Sequence, residues 1–208
     1  LHLEIITYRL LNDFKVAANV GKPQVAYKET ITAGASDEGR FEQQTGTAQY
    51  GHVVLRLEPL DRGAGFVFSN EVDEQTIPTP FLAAIETGVK NSLDSGPLVG
   101  YPLTDVGVQL VGGSYDEESS TEMAFGVAAS MAMRKAAAAA QPMLLEPVMD
   151  LEVVTPEEYV GDVISDLNTK RAKIAGITSE KDIQVVCALV PLAEMFGYST
   201  SLRSATQG

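Results

Sequence analysis

Apolar positions along this chain recur with two different periods, and the places where the period changes divide it. Over residues 1–16, Leu3, Ile6, Leu10 and Phe14 return every three or four positions, which predicts a helix with one apolar stripe. Residues 19–23 interrupt it, because the residue before Pro23 resists helical backbone, and mark a domain boundary. From Val25 the period becomes two. Val25, Tyr27, Glu29 and Ile31 alternate with their neighbours, and His52-Val53-Val54-Leu55-Arg56-Leu57 does so more strongly, so both read as strands. Between them, residues 32–49 are rich in Gly, Ser, Thr, Asp, Glu and Gln and read as a loop or a weak hairpin.

Further along, Phe66-Val67-Phe68 predicts a short aromatic strand. In Ile77-Pro78-Thr79-Pro80, Thr79 suits a helix N-cap and Pro80 the first helical position. Phe81, Ile85, Val89 and Leu93 would be that helix's buried face, with Gly96 at its exit. Val106, Val108 and Leu110 form the next strand, which runs into Gly112-Gly113-Ser114-Tyr115-Asp116-Glu117-Glu118. Residues 122–140 are small and apolar, a helix ended by Pro142 whose alanines allow close packing on a sheet. Residues 143–154 read as a strand, and Thr155-Pro156-Glu157-Glu158 as a capping box pairing Thr155 with Glu158. Tyr159, Val163 and Leu167 continue as a helical stripe, two strands bracket a turn at Thr178-Ser179-Glu180-Lys181-Asp182, and a last helix starts near Pro191. Strand, helix, strand, strand, helix is a ferredoxin-like order lacking its last strand. The fold class is therefore α+β in two domains. The chain starts inside an amphipathic pattern, with neither an initiator Met nor a signal peptide, and reads as a piece cut from a longer protein.

Composition narrows the chemistry. Of 208 residues, 45% are hydrophobic, enough for a core, and no apolar run approaches the roughly 20 residues of a membrane span. One cysteine excludes an internal disulfide framework, and the alternation around Cys187 predicts a buried structural thiol. A net charge of −13 argues against this piece gripping nucleic acid phosphates by itself. Gly21-Lys22 is followed by Pro23 and forms no phosphate loop, and neither histidines nor the cysteine pair up for zinc. His2 and His52 read as structural or surface residues, and Asp37, Glu38 and Arg40 as solvated surface. No nucleophile and base stand out, so the residues alone indicate no active site.

Ten runs nevertheless carry a resemblance. They are Leu1-His2-Leu3-Glu4-Ile5, Val20-Gly21-Lys22-Pro23-Gln24-Val25-Ala26-Tyr27, Gln49-Tyr50-Gly51-His52-Val53, Ser95-Gly96-Pro97-Leu98 and Gly113-Ser114-Tyr115. Glu122-Met123-Ala124-Phe125, Leu144-Leu145-Glu146-Pro147, Thr155-Pro156-Glu157-Glu158-Tyr159, Gly161-Asp162-Val163 and Val190-Pro191-Leu192-Ala193-Glu194-Met195-Phe196-Gly197-Tyr198 follow in order. Together they resemble the C-terminal half of elongation factor G, the ribosomal translocase of bacteria and organelles. The resemblance implies that residues 1–19 end domain III, and that 20–142 are domain IV, like the second domain of ribosomal protein S5 with a left-handed βαβ crossover. Residues 143–208 would be domain V, ferredoxin-like and lacking its last strand. It implies no cofactor in this piece, with GTP and Mg bound by a domain upstream, so that the piece itself hydrolyses no GTP.

The implied partners are the ribosome, at the small-subunit decoding site and the large-subunit factor-binding region, with A-site tRNA and mRNA. The implied state is a cytoplasmic monomer away from any membrane. Two loops would form the domain IV tip, and their contact residues carry over as Gly46, Thr47, Ala48 and Gln49, and Gly113, Ser114, Tyr115, Asp116 and Glu117. Both loops depart from the family pattern. The first usually reads like Thr-Gly-Gly-Arg-Gly-Gln, whereas Gly46 here leads to Thr47-Ala48 without the arginine. The second usually has His after Gly-Ser-Tyr, where this chain has Asp116. A carboxylate about 4 Å from a phosphate is repelled by about 1 kcal/mol in water, and more strongly when desolvated. Two readings of the acids stay open. They meet RNA through ribose hydroxyls or base amines, or they serve the following helix, with Ser119 and Glu122 as a capping box. For the parent, the alternative to a translocase is a diverged paralogue for ribosome recycling or rescue. An interaction module with no ribosome role would be favoured if the upstream sequence lacked a phosphate loop.

Overall fold

The computed structural model describes residues 2–17, 21, 23–180 and 183–206, and the side chains of His2, Leu3, Glu4 and Glu180 are not among those described. The expectations resting on Leu1, Asn19, Val20, Lys22, Lys181 and Asp182 fall outside it. Two compact units emerge: Tyr27–Glu146, and Leu1–Ala26 with Pro147–Gly208.

The unit Tyr27–Glu146 is built on four strands, β2 (Ala35–Gln43), β3 (Gln49–Pro59), β4 (Phe66–Asn70) and β5 (Val106–Ser114), in the order β2-β3-β5-β4. β2, β3 and β5 run antiparallel in turn, whereas β4 lies parallel to β5 and reaches it through helix α2 (Thr79–Leu93). Helix α3 (Glu122–Ala139) lies over β2 and β3 and packs against α2. Period-two burial on β3 and β5 is the reason: Val53, Leu55, Leu57, Val106, Val108 and Leu110 are all buried beneath Phe125, Ala128, Ala132 and Met133 of α3. Ile85 and Val89 of α2 close the core, with Phe81 and Leu93 packed at its margin as the stripe predicted. A two-stranded ribbon of β1 (Lys28–Ile31) and β6 (Pro142–Leu145) completes the unit.

Two buried carboxylates organise the end of the sheet where β5 begins. Glu29, fully buried, accepts backbone N–H bonds from Leu98 at Oε2 and from Val99, Gly100 and Tyr101 at Oε1, all within 2.9–3.1 Å. Burial pushes its carboxyl up, but the four amides outweigh that and hold it below the ordinary value. Asp105 accepts from the amides of Gly63 (3.1 Å) and Gly65 (3.0 Å), with Arg62 3.5 Å away.

The second sheet orders β7 (Val148–Pro156), β9 (Ile183–Pro191) and β8 (Lys173–Glu180) as β7-β9-β8, both pairs antiparallel. Val153, Val186, Ala188 and Val190 meet Val163 and Leu167 of α4 (Val160–Thr169) and Tyr198 of α5 (Tyr198–Thr206) in its core. The predicted order holds here. Helix α1 (His2–Asn12) forms but ends before Phe14, short of the expected residue 16, and Ile6, Leu10 and Phe14 of the expected stripe are exposed.

Several expectations need correction. The polar stretch 32–49 contains the nine-residue strand β2, paired along its length with β3 as a full hairpin. Its inward positions include Gly39, where a Cβ would run into the carbonyl of Ala128 and the amide of Ala132, so helix backbone fills the place of an apolar side chain. The single strand over 143–154 is two strands in different units, separated at Glu146-Pro147. The α2 N-cap is Pro78 rather than Thr79, whose hydroxyl donates to Glu74 (3.2 Å), and its C-cap is Asp94, short of Gly96. The Thr155–Glu158 capping box does not form, because β7 runs through Thr155 and buries its hydroxyl without a partner among the described residues. Thr178 and Ser179 belong to β8, not to a turn. Cys187 is half-buried, out of phase with the inward Val186 and Ala188.

Candidate interaction site at the loop end of the sheet

The end of the sheet where β5 finishes gathers the residues singled out from the sequence. The β2–β3 turn, residues 44–48, is exposed throughout and depends on Gly46, whose φ of +85° suits a residue without a Cβ. Gln43 steadies it by donating from Nε2 to the Thr45 carbonyl (3.0 Å). Gln49, expected in the loop, opens strand β3 and keeps its Oε1 buried with no partner among the described residues. Gly113 and Ser114 are likewise strand residues, paired with Val53 and His52. Of the second loop, only residues 115–121 leave regular structure before α3.

That loop is organised from within. Asp116 Oδ1 accepts from the amides of Glu118 (3.2 Å) and Ser119 (2.9 Å) and from the Ser119 hydroxyl (2.6 Å). The Asp116 amide donates to Ser120 Oγ (3.0 Å), and the Ser120 amide returns to the Asp116 carbonyl (3.0 Å). The hydroxyl and amide of Ser119 hold the Asp116 carboxyl below its ordinary value. The expected Ser119–Glu122 capping box is absent. Thr121 is the N-cap, accepting the Ala124 amide at 3.1 Å, and Ser119 is turned toward Asp116 instead. Asp116 therefore serves its own loop rather than the helix end, leaving Glu117 and Glu118 as its outward acids. Tyr115 is also committed, its ring 5.6 Å from that of Phe81, which meets Phe125 at 4.8 Å.

The two loops are tied together. The Tyr50 amide donates to the Ser119 carbonyl (2.8 Å), and Tyr50 bridges Ser120. Beneath them a side-chain path crosses three strands. Glu38 Oε2 lies 2.9 Å from His52 Nε2, His52 Nδ1 lies 2.9 Å from Ser114 Oγ, and Ser114 Oγ lies 2.5 Å from the Tyr50 hydroxyl. A bulge makes this possible. Between Val54 and Leu55 the register with β5 shifts by one, so Val111 has no opposite residue. Without that extra residue Ser114 would share the inward face of Val108 and Leu110; with it, Ser114 stands beside His52.

Sequence reasoning missed this path: Glu38 and Arg40 are exposed as expected, but Glu38 also holds His52, and Arg40 reaches Glu42 (3.2 Å) and lies over the Tyr50 ring at 5.4 Å. The available signal was the alternation of Tyr50 and His52 on one strand face, but their partners depend on register. Two grooves beside α2 and α3 both touch Asn91, Ser130 and Arg134, one of them reaching Ser95, Gly96 and Pro97, and neither takes in a residue of the 44–48 turn or the 115–121 loop. Among the described residues there is no group of three or more His, Cys, Asp or Glu that could hold a metal ion, and no helix long and apolar enough to cross a membrane. The arrangement is suited to presenting hydroxyls, backbone carbonyls and carboxylates to a partner rich in donors.

Comparison with known proteins gives a consistent answer. Residues 23–141 match the family described as elongation factor G, domain IV, and residues 143–208 the one described as elongation factor G C-terminus. The chain is 67% identical over 209 residues to elongation factor G 2 of Desulfotalea psychrophila, spanning all of this chain and 30% of that protein. A crystal structure from Thermus thermophilus superposes with a TM-score of 0.87 at 40% identity, covering 99% of this chain and 31% of that one.

Proposed function

This chain belongs to the elongation factor G family, and from that premise we propose that it is the distal part of a GTP-driven factor that moves tRNA and mRNA through the ribosome. In this reading the loop end of the four-stranded sheet enters the small-subunit decoding site beside the A-site tRNA and mRNA. Residues 20–142 act as domain IV and 143–208 as domain V, which meets the factor-binding region of the large subunit, and residues 1–19 close domain III. GTP and Mg belong to a domain upstream. The factor works as a cytoplasmic monomer.

The observation that carries the reading is the convergence of two loops, joined through Tyr50 and Ser119, at one end of a sheet stiffened by two helices. The outward groups at that end are Thr45, Thr47, Glu117 and Glu118 with turn carbonyls. They suit hydrogen bonds to ribose hydroxyls and base amines, which carry donors, rather than a grip on phosphates. A second reading, a paralogue for ribosome recycling, is favoured by one observation: the imidazole and arginine of the usual tip are replaced by Asp116 and by nothing.

One experiment separates the two. The full-length parent, with and without Asp116→His, is added with GTP to purified pre-translocation ribosomes, and the rate of mRNA movement is recorded. Rapid movement by the unaltered protein is the expected result. No movement, together with subunit splitting in the presence of recycling factor, would replace it with the second reading.

A further inference from the structure

With a neutral imidazole at its centre, the path through Glu38, His52, Ser114 and Tyr50 has one consistent direction of donation. A carboxylate accepts only, so His52 Nε2 must carry the proton shared with Glu38 Oε2. His52 Nδ1 is then the acceptor of the neutral ring and takes the Ser114 hydroxyl proton. Ser114 Oγ, having spent its one proton, accepts from the Tyr50 hydroxyl. Tyr50 is the residue whose main chain holds the acidic loop through Ser119, and it follows Gln49, the first residue of β3 after the turn. The path thus begins on β2, crosses β3, reaches the end of β5 and returns to the residue joining both loops.

We propose that Ser114 is the pin that fixes the two tip loops to each other, and that Ser114, Tyr50 and His52 are positioning residues for the tip's work on the ribosome. The inference rests on the proposed function for the work and on geometry alone for the pin. Three facts support it. The bulge at Val111 turns Ser114 out of the core face, where a small side chain would otherwise have served. His52 uses both ring nitrogens in the path. Asp116 and Ser119 bind one another and leave the Ser119 carbonyl to Tyr50, so the acidic loop meets the hairpin through a residue that the pin orients. A tip placed by hydrogen bonds acts on the rate of a step that needs its geometry, while affinity comes from contacts spread over the factor.

The test uses the full-length parent carrying Ser114→Ala, Tyr50→Phe, both together, or Ser114→Thr, which keeps a hydroxyl. At saturating factor, Ser114→Ala and Tyr50→Phe are each expected to slow mRNA movement by about 10-fold. The double variant is expected to be no slower than either single one, since both break one path, and Ser114→Thr to retain most of the rate. Movement within about twofold of the unaltered protein in both single variants would overturn the proposal. The pin is also read without ribosomes, from the nitrogen signals of 15N-histidine-labelled full-length protein. His52 is expected as the Nε2–H tautomer, with its Nδ1 signal displaced in Ser114→Ala. An Nδ1–H tautomer, or no response to that substitution, would overturn the pin itself. If the unaltered protein moves no mRNA, the proposed function fails, and the pin stands or falls on the imidazole signal.

Discussion

The two ends of the four-stranded sheet use the same device in opposite surroundings. Where β5 begins, Glu29 gathers four backbone amides in complete burial. Where β5 ends, Asp116 gathers two amides and a hydroxyl in an exposed loop. Each carboxyl is held below its ordinary value by the donors around it. The difference lies in what happens when the carboxylate is taken away. At the buried end the abandoned amides find no water, whereas at the exposed end water replaces the lost acceptor. One end is built to stay folded and the other to be presented.

Substitutions should separate the ends in order of size. Glu29→Gln places an amide NH2 among backbone donors and should lower stability by about 3 kcal/mol, read by chemical denaturation. Gly39→Ala forces a methyl group into the backbone of α3 and should cost about 2 kcal/mol by the same measurement. Gly100 (φ +88°) and Gly46 (φ +85°) share a left-handed backbone, yet Gly100 is held by Glu29 while the turn around Gly46 is free to adjust. Alanine at Gly100 should cost about 1 kcal/mol and at Gly46 clearly less; equal costs would remove the contrast between the ends.

Acid gives a further comparison. Glu29 and Asp105 have folded pKa values below their ordinary 4.5 and 3.8, so their contribution is complete above about pH 4.5 and is lost as pH falls through the lowered values. Glu29→Gln should therefore flatten the loss of stability below about pH 4.5. Asp116→Ala should change the unfolding midpoint least of all. Its effect should appear as faster amide hydrogen exchange at Glu118 and Ser119, whose acceptor it removes.

How much of this was legible in the sequence varied with what each residue faces. β3 and β5 announced themselves because Val53, Leu55, Leu57, Val106, Val108 and Leu110 all meet side chains of the core. β2 did not, because Gly39 meets helix backbone, and a strand that needs no bulk there looks like a polar loop. The break at Glu146-Pro147 hid inside a stretch, 143–154, whose apolar residues read as one strand although its halves pair with different sheets. Thr155 and Ser119 each looked like a cap on spacing alone, but the strand claimed one and Asp116 the other. The loops of the candidate site were placed only by family resemblance. The path through His52 was invisible, because it depends on a one-residue shift of register that no local pattern records.

The close approach of α3 to β2 and β3 has a mechanical consequence. At Gly39 and Gly51 main chain lies against main chain, where a Cβ would strike Ala128 in one case and Ala124 in the other. At those two positions there is no rotamer to flip and no long side chain to bend, so helix and strand are less free to slide there than where Leu55, Leu57 and Phe125 meet. The helix is pinned to the sheet most firmly by the residues with the least side chain.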